Sequence, residues 1–179
     1  IVQGFFDGFG PTRNRAAALT RHPWIFNIDS DEWLTPELQQ SLRSAPLHDP
    51  GLIHTFIRRN LMLGRVPRSP MGRELIHRLY HRDQSGWFGR VHERLGPLNG
   101  SRMRMHRLAG ELWHNPYRSM GHLFHKRWVY AHPDLRDQLK PLHPGLAFGR
   151  GMWRFFRCYV IQLGFIDGWQ GFVLSIADA

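Results

Sequence analysis

Three carboxylates fall within four residues at Asp29-Ser30-Asp31-Glu32, directly after the apolar run WIFNI at 24–28. A run of that kind reads as a buried strand, and in open α/β sheets ligands bind beyond the carboxyl ends of the strands. If the strand continues through Asp29, then Asp29 and Asp31 share one face and Ser30 takes the other. Two adjacent carboxylates repel, so they coexist only beside a cation or with one pKa raised. A hard divalent ion, Mg²⁺ or Mn²⁺, meets that need, because it takes oxygen ligands from one or two carboxylates, water and substrate phosphate. It would also offset charge building on a departing diphosphate. The plain alternative is that these acids cap the helix opened by Thr35-Pro36-Glu37.

The elements that must position these acids can be read from periodicity and turn chemistry. Residues 1–6 read as a short strand, followed by the turn DGFGP. Pro11 and the AAAL run predict a helix over 12–20. The strand 24–28 and a helix from Thr35 to about Ala45 follow, which is the strand–helix alternation of an α/β sheet. Alternating patterns predict further strands over 52–65, 74–82 and 101–110, with Met103, Met105 and Arg107 on one side of the last. The Gly-rich stretch between the last two, DQSGWFGRVHERLGPLNG, reads as a loop. From Tyr117 the period becomes helical, with Met120, Leu123, Phe124, Trp128 and Ala131 in step. After a Pro/Gly break, LKPLHPG, a last helical region spans about 146–177. It carries Arg150, Arg154 and Arg157 on one flank beside Phe148, Trp153, Phe155, Phe156 and Tyr159. A basic, aromatic, amphipathic helix suits an anionic membrane surface; the alternative is a helix packed on its own domain with a solvated arginine edge.

The chain's 179 residues suffice for one well-buried domain with a helical appendage. With 42% hydrophobic and 21% charged residues the composition is that of a globular protein. A formal charge of +10 draws polyanions. Cys158 is the one cysteine, which excludes an internal disulfide and a cysteine-rich zinc site and fits a reducing compartment. No basic segment precedes an apolar core at the start, so no secretory leader is expected, and no apolar run reaches the length of a spanning helix.

The segment GFGPTRNRAAALTRHPWIFNIDSDEWLTPEL, residues 8–38 with Gly8 and Asp29 at its landmarks, resembles the middle of a family-two glycosyltransferase domain. Within that family it is most similar to the bacterial group that contains lipopolysaccharide core glucosyltransferases. The likeness continues, in order, through RLY (Arg78 to Tyr80), VHE (Val91 to Glu93), LWHNPY (Leu112 to Tyr117) and GFIDG (Gly164 to Gly168). The resemblance implies an α/β fold of the GT-A type without its first strand–helix units. Residues 1–115 would then be the C-terminal portion of the catalytic domain, and 116–179 a helical region associated with the membrane. It implies inverting, metal-dependent transfer of a sugar from a nucleotide-sugar to a lipopolysaccharide-like or lipid-linked glycan acceptor, at the cytoplasmic face of the membrane. Those first units hold the nucleotide base and ribose in the family, and Ile1 falls just before the GFG segment.

The resemblance also assigns roles. Asp29 and Asp31 would hold Mg²⁺ or Mn²⁺ on the donor diphosphate; Asp29 instead could face the ribose, with Asp31 the firmer ligand. Arg13 and Asn14, the RN pair, match the helix that faces the nucleotide. Inverting transfer needs a base on the acceptor hydroxyl. Glu93 matches that position, with His92 the competing base; the ordinary alternative for Glu93 is a salt bridge to Arg90 or Arg94. His114 and Tyr117 would close the site, His114 adding a metal ligand or a phosphate contact. Arg78 would meet donor phosphate or acceptor, or else pair with Glu74. Glu32 is expected to cap the helix or bond nearby.

Twelve histidines raise the question of zinc, but His77/His81 and His122/His125 lack the glutamate of a zinc-protease helix. The rival function is a basic nucleic-acid- or membrane-binding module without catalysis. Nucleic acid is not the expected partner, because the basic residues are spread along the chain and not gathered in one stripe.

Overall fold

The structure, a computed structural model, describes residues 3–90, 93–117, 119–130 and 143–179. It is a mixed α/β fold that divides into two units, Ile1–Arg58 with Glu74–Leu112, and Arg59–Arg73 with Trp113–Ala179. Five strands form one sheet: β1 (Trp24–Phe26), β2 (Glu32–Leu34), β3 (Leu52–Asn60), β4 (Arg73–His81) and, with the hairpin strands counted in chain order, β7 (Arg104–His114). Their order is β1-β4-β3-β7-β2. β1 pairs antiparallel with β4 in the register Ile25↔Tyr80, and Asn27 N–H extends the ladder to the Arg78 carbonyl at 3.0 Å.

That order has a direct consequence for the acids. β1 and β2 lie at opposite edges of the sheet, yet only residues 27–31 separate them. Four strand spacings amount to about 19 Å in a flat sheet, which nearly exhausts the reach of about 20 Å for six fully extended residues. The connection is not fully extended, because Glu32 N–H donates to the Asp29 carbonyl across a turn at 3.1 Å. The sheet therefore curls, and the acidic segment is drawn across its end.

The first helix, α1 (Phe9–Ala18), begins two residues before the expected Pro11 start. Its entry explains the GFG segment. Gly8 has φ +124, and a Cβ there would lie 2.9 Å from Arg90 Cα, while a Cβ on buried Gly10 would overlap the Gly89 carbonyl. Phe9 N–H donates to the Arg90 carbonyl at 2.9 Å, so the helix starts hard against the chain leading to Glu93. α2 (Pro36–Arg43) forms as its sequence predicts: Thr35 is the N-cap, Pro36 occupies the first turn and Glu37 lies near the positive end. Thr35 Oγ1 accepts from Leu38 N–H at 3.3 Å and from Glu111 N–H at 3.1 Å, which ties the helix start to β7.

Three expectations are corrected. Residues 3–7 form no strand, and Phe5 and Phe6 are exposed; Ile1 and Val2 lie outside the described residues. The strand 24–28 ends at Phe26, so Asp29 and Asp31 sit on a turn and not on a common strand face. The stretch read as a loop contains an antiparallel hairpin, β5 (Ser85–Phe88) with β6 (Arg94–Pro97), in register from Ser85↔Pro97 to Phe88↔Arg94. Along β7 the even-numbered residues face inward: Leu108 and Leu112 are buried, whereas Met105 is exposed.

Two apolar clusters fill the first unit, one around Ile25, Ile53, Tyr80 and Trp87 and one around Leu38, Phe56, Leu79 and Leu112. Between them in sequence lies His54, fully buried, with its Nδ1 3.2 Å from His106 Nδ1. Burial first, and the neighbouring His106 second, lower the His54 pKa below 6.5. The unfolded chain then takes up a proton at a higher pH than the folded one, so stability falls as pH drops below about 6.5 and levels off below the folded value. Thermal melts at pH 7.5 and 5.5 are expected to show that loss, with a smaller loss in His54→Asn. His77, also lowered by burial, retains the remainder.

The second unit has its own core, Met62, Met71, Leu123, Cys158 and Leu174. Its helices are α3 (Met120–Tyr130), α4 (Pro144–Phe156) and α5 (Gly168–Asp178); Ala131 and most of the LKPLHPG break lie outside the described residues. The region expected as one helix over 146–177 is broken. After α4 a π-helical turn, Arg157–Ile161, leads to Leu163 at φ +57 and a 3₁₀ turn, Gly164–Asp167. The GFIDG segment makes this break, since a Cβ on Gly171 would overlap the Gly164 carbonyl.

Candidate functional site

The acidic segment crosses the sheet end where β4 and β3 present arginines. Asp29 Oδ1 and Oδ2 accept from Arg13 Nη2 at 3.0 and 3.2 Å, and Oδ2 also accepts from Arg78 Nη2 at 3.0 Å. The side chain of Glu32 is fully buried. Its Oε1 accepts from Arg78 Nη2 and Arg58 Nη1, both at 3.2 Å, and its Oε2 accepts from Asp29 N–H at 3.0 Å. Arg58 continues the chain of pairs to Glu74 at 2.6 Å. Arg13 reaches the other way, its Nε 3.3 Å from Glu93 Oε1.

The electrostatics follow from this arrangement. Burial alone pushes the Asp29 carboxyl up, but Arg78 and then Arg13 outweigh it and hold the pKa below 3.8. For Arg58, burial acts to lower the pKa, but Glu74 and Glu32 together outweigh it and raise it. Trp87 walls the cluster: its ring centroid lies 5.0 Å from the Arg13 guanidinium and 6.0 Å from that of Arg78. Its indole N–H is shared between Asn27 Oδ1 at 3.1 Å and the Tyr80 hydroxyl at 3.2 Å. Burial raises the Tyr80 phenol, so it stays a neutral hydrogen-bonding group.

Several expected residues meet here. Arg13, Asp29, Arg78 and Glu93 come together although they are spread over 80 positions of sequence. Asp31 is half-buried on the turn beside them. Arg78 pairs with Asp29 and Glu32 and not with Glu74, and Glu93 pairs with Arg13 and not with Arg90 or Arg94. Asn14 is committed to the fold: its Nδ2 donates to the Trp87 carbonyl at 2.8 Å and its Oδ1 accepts from Trp87 N–H at 2.9 Å. His92 lies outside the described residues. His114 and Tyr117 belong to the second unit, where His114 Nδ1 is 2.6 Å from Asn60 Oδ1 and Tyr117 packs beneath Lys126.

Of the two expectations for Glu32 the nearby hydrogen bond holds, from Asp29 N–H, but sequence reasoning missed that it anchors two arginines, and it missed Arg58 and Trp87 entirely. The available signal was an acid at the first position of a strand, followed by an arginine on each of two later strands.

The residues present suit a hard cation of the kind that draws most of its ligands from water and substrate phosphate. Asp31, expected to be the firmer ligand, lies on the same turn, and both Asp29 oxygens accept from arginines. Among the described residues no group of three or more His, Cys, Asp or Glu converges, so a purely protein-made cage is not offered there. The same cluster suits an anion. Arg78 is 6% exposed, and its Nη1 makes no hydrogen bond among the described residues; a buried donor in that state costs about 1–3 kcal/mol unless a ligand oxygen or water accepts from it. Against the models of known protein families the chain finds no match.

Proposed function

We propose that the chain is the C-terminal part of the catalytic domain of an inverting, metal-dependent glycosyltransferase of the GT-A type. It would move a sugar from a nucleotide-sugar to a lipopolysaccharide-like or lipid-linked glycan acceptor. One observation carries the reading: a single guanidinium, Arg13, touches both Asp29 on the turn after β1 and Glu93 within the hairpin, directly before β6. That shared contact supports reading the two carboxylates as the donor and acceptor sides of one site.

The residues then divide the chemistry. Arg78, through its unpartnered Nη1, and Arg13, by exchanging a carboxylate for a phosphate oxygen, bind the diphosphate. Asp31 would hold Mg²⁺ or Mn²⁺, which would supply positive charge against the leaving group. Glu93 takes the proton of the acceptor hydroxyl as its oxygen forms a bond to the anomeric carbon. The bond from that carbon to the diphosphate oxygen breaks, its electron pair leaves with the diphosphate, and the configuration inverts. Trp87 keeps bulk water from one side of the arginines, which strengthens their hold on the charge that develops.

The test is an assay of nucleoside diphosphate release, using the longest native form of the protein that contains this chain, a panel of nucleotide-sugars and a bacterial glycolipid extract. Release that requires both the extract and a divalent cation is expected. Absence of release with every donor contradicts the proposal.

A further inference from the structure

The bent helix pair of the second unit carries more exposed apolar surface than a water-facing element needs. On α5 the residues Trp169, Phe172 and Ile176 form one stripe and are 58%, 43% and 48% exposed, while Gln170, Leu174 and Ser175 on the other side are buried. On α4 the large side chains Phe148, Met152, Trp153 and Phe156 are exposed, and Phe165 and Ile166 at the bend are exposed as well. A face of this extent marks an interaction site.

Its charge says what it meets. From His143 to Ile166 the chain has no acidic residue, and Arg150, Arg154 and Arg157, at i, i+4 and i+7, are all exposed. Beside the bend, a cleft of about 410 Å³ is lined by Arg65 and Arg68 together with Met62 and Ile166. Neither of those arginines makes a side-chain ion pair among the described residues. The one acid there, Asp167, is already held by Arg68 N–H at 2.6 Å, by Ser69 N–H at 3.2 Å and by the Ser69 hydroxyl.

Length decides how such a surface engages lipid. No single helix among the described residues is long and apolar enough to span, and the two segments Gly145–Ile161 and Gly164–Asp178 meet at 71°. At 1.5 Å per residue, the 17 residues of the continuous segment Gly145–Ile161 reach about 26 Å, short of a hydrocarbon core of about 30 Å, so only the bent pair together has the length and composition of a broken span or re-entrant loop. Arg150, Arg154 and Arg157, along the middle of Gly145–Ile161, would also have to cross the core in a spanning arrangement.

We propose that α4 and α5 lie in the plane of an anionic phospholipid bilayer, as a one-leaflet anchor. The aromatic side chains enter the acyl boundary, Arg150, Arg154 and Arg157 extend to the headgroups, and the Arg65/Arg68 cleft takes a headgroup phosphate. This stands on the second unit alone and does not depend on the transferase reading.

Flotation of the whole chain with vesicles tests it. Vesicles of phosphatidylcholine with 30 mole per cent phosphatidylglycerol, roughly the range in which anionic leaflets attract basic segments, are compared with phosphatidylcholine alone. Binding to the anionic vesicles, persisting in part at high salt, is expected. Phe148→Glu/Trp153→Glu is expected to weaken it at least tenfold. Should that variant fail to fold, Arg150→Gln/Arg154→Gln/Arg157→Gln, which alters only exposed positions, is expected to abolish the preference for anionic lipid. Overturning results are equal binding by these variants, binding to anionic vesicles that salt removes completely, or a vesicle-free dimer that buries Trp153.

Discussion

Arg78→Met is expected to destabilise the protein by about 3–5 kcal/mol, the scale seen when one partner of a buried ion pair is removed. For a chain of this length that lowers the melting temperature by roughly 6–20 °C. Both groups qualify as buried, since the Arg78 side chain is 7% exposed and that of Glu32 fully buried. Without Arg78, Glu32 keeps Arg58 and the Asp29 amide, while Asp29 loses one of its two arginines. The variant Arg78→Met/Glu32→Gln is expected to recover part of the loss, because the stranded charge is gone. Simple addition of the two single effects would mean that the pair is not coupled. The same substitution alters the acid limb of stability. Asp29 has a depressed carboxyl pKa, so its contribution is present above 3.8 and is lost as pH falls below that value. In Arg78→Met that loss becomes smaller.

The second large effect is catalytic. Glu93→Gln is expected to lower kcat for transfer by about 10²–10⁴-fold, the usual contribution of a positioned general base. The Arg13–Glu93 contact is an ion pair at 3.3 Å with no hydrogen bond from Nε, and Arg13 keeps Asp29, so melting temperature and nucleoside diphosphate affinity should change little. A fall in affinity without a fall in kcat would move Glu93 from the acceptor side to the donor side of the site. An unchanged rate would remove it from the proton transfer altogether.

What could be read from sequence was local. Thr35-Pro36-Glu37 announces α2 because cap, proline and acid act within one turn, and the N-cap hydrogen bond is present. Trp24 to Phe26 announces a strand through composition alone, although it lies at the sheet edge with only Ile25 buried. The hairpin of β5 and β6 escaped because Gly86, Gly89 and Gly96 interrupt any alternation. Gly86 is required instead by crowding: a Cβ there would come 2.9 Å from Leu98 Cδ2. The ion-pair partners of the site were not legible at all. That Arg58 meets Glu32, and Arg13 meets Glu93, depends on the strand order β1-β4-β3-β7-β2 and on the curl that brings both edges to one connection. No periodicity within a segment encodes such a pairing.

The central claim is that Asp29, Asp31 and the arginines form a donor diphosphate site. Titration calorimetry of the longest native form with a panel of nucleoside diphosphates, with and without Mn²⁺, tests it most directly, with Asp31→Ala run in parallel. Binding of one diphosphate that needs Mn²⁺, and that Asp31→Ala abolishes, is the predicted result. Absence of metal-dependent binding to every member of the panel, or binding indifferent to Asp31, would contradict it.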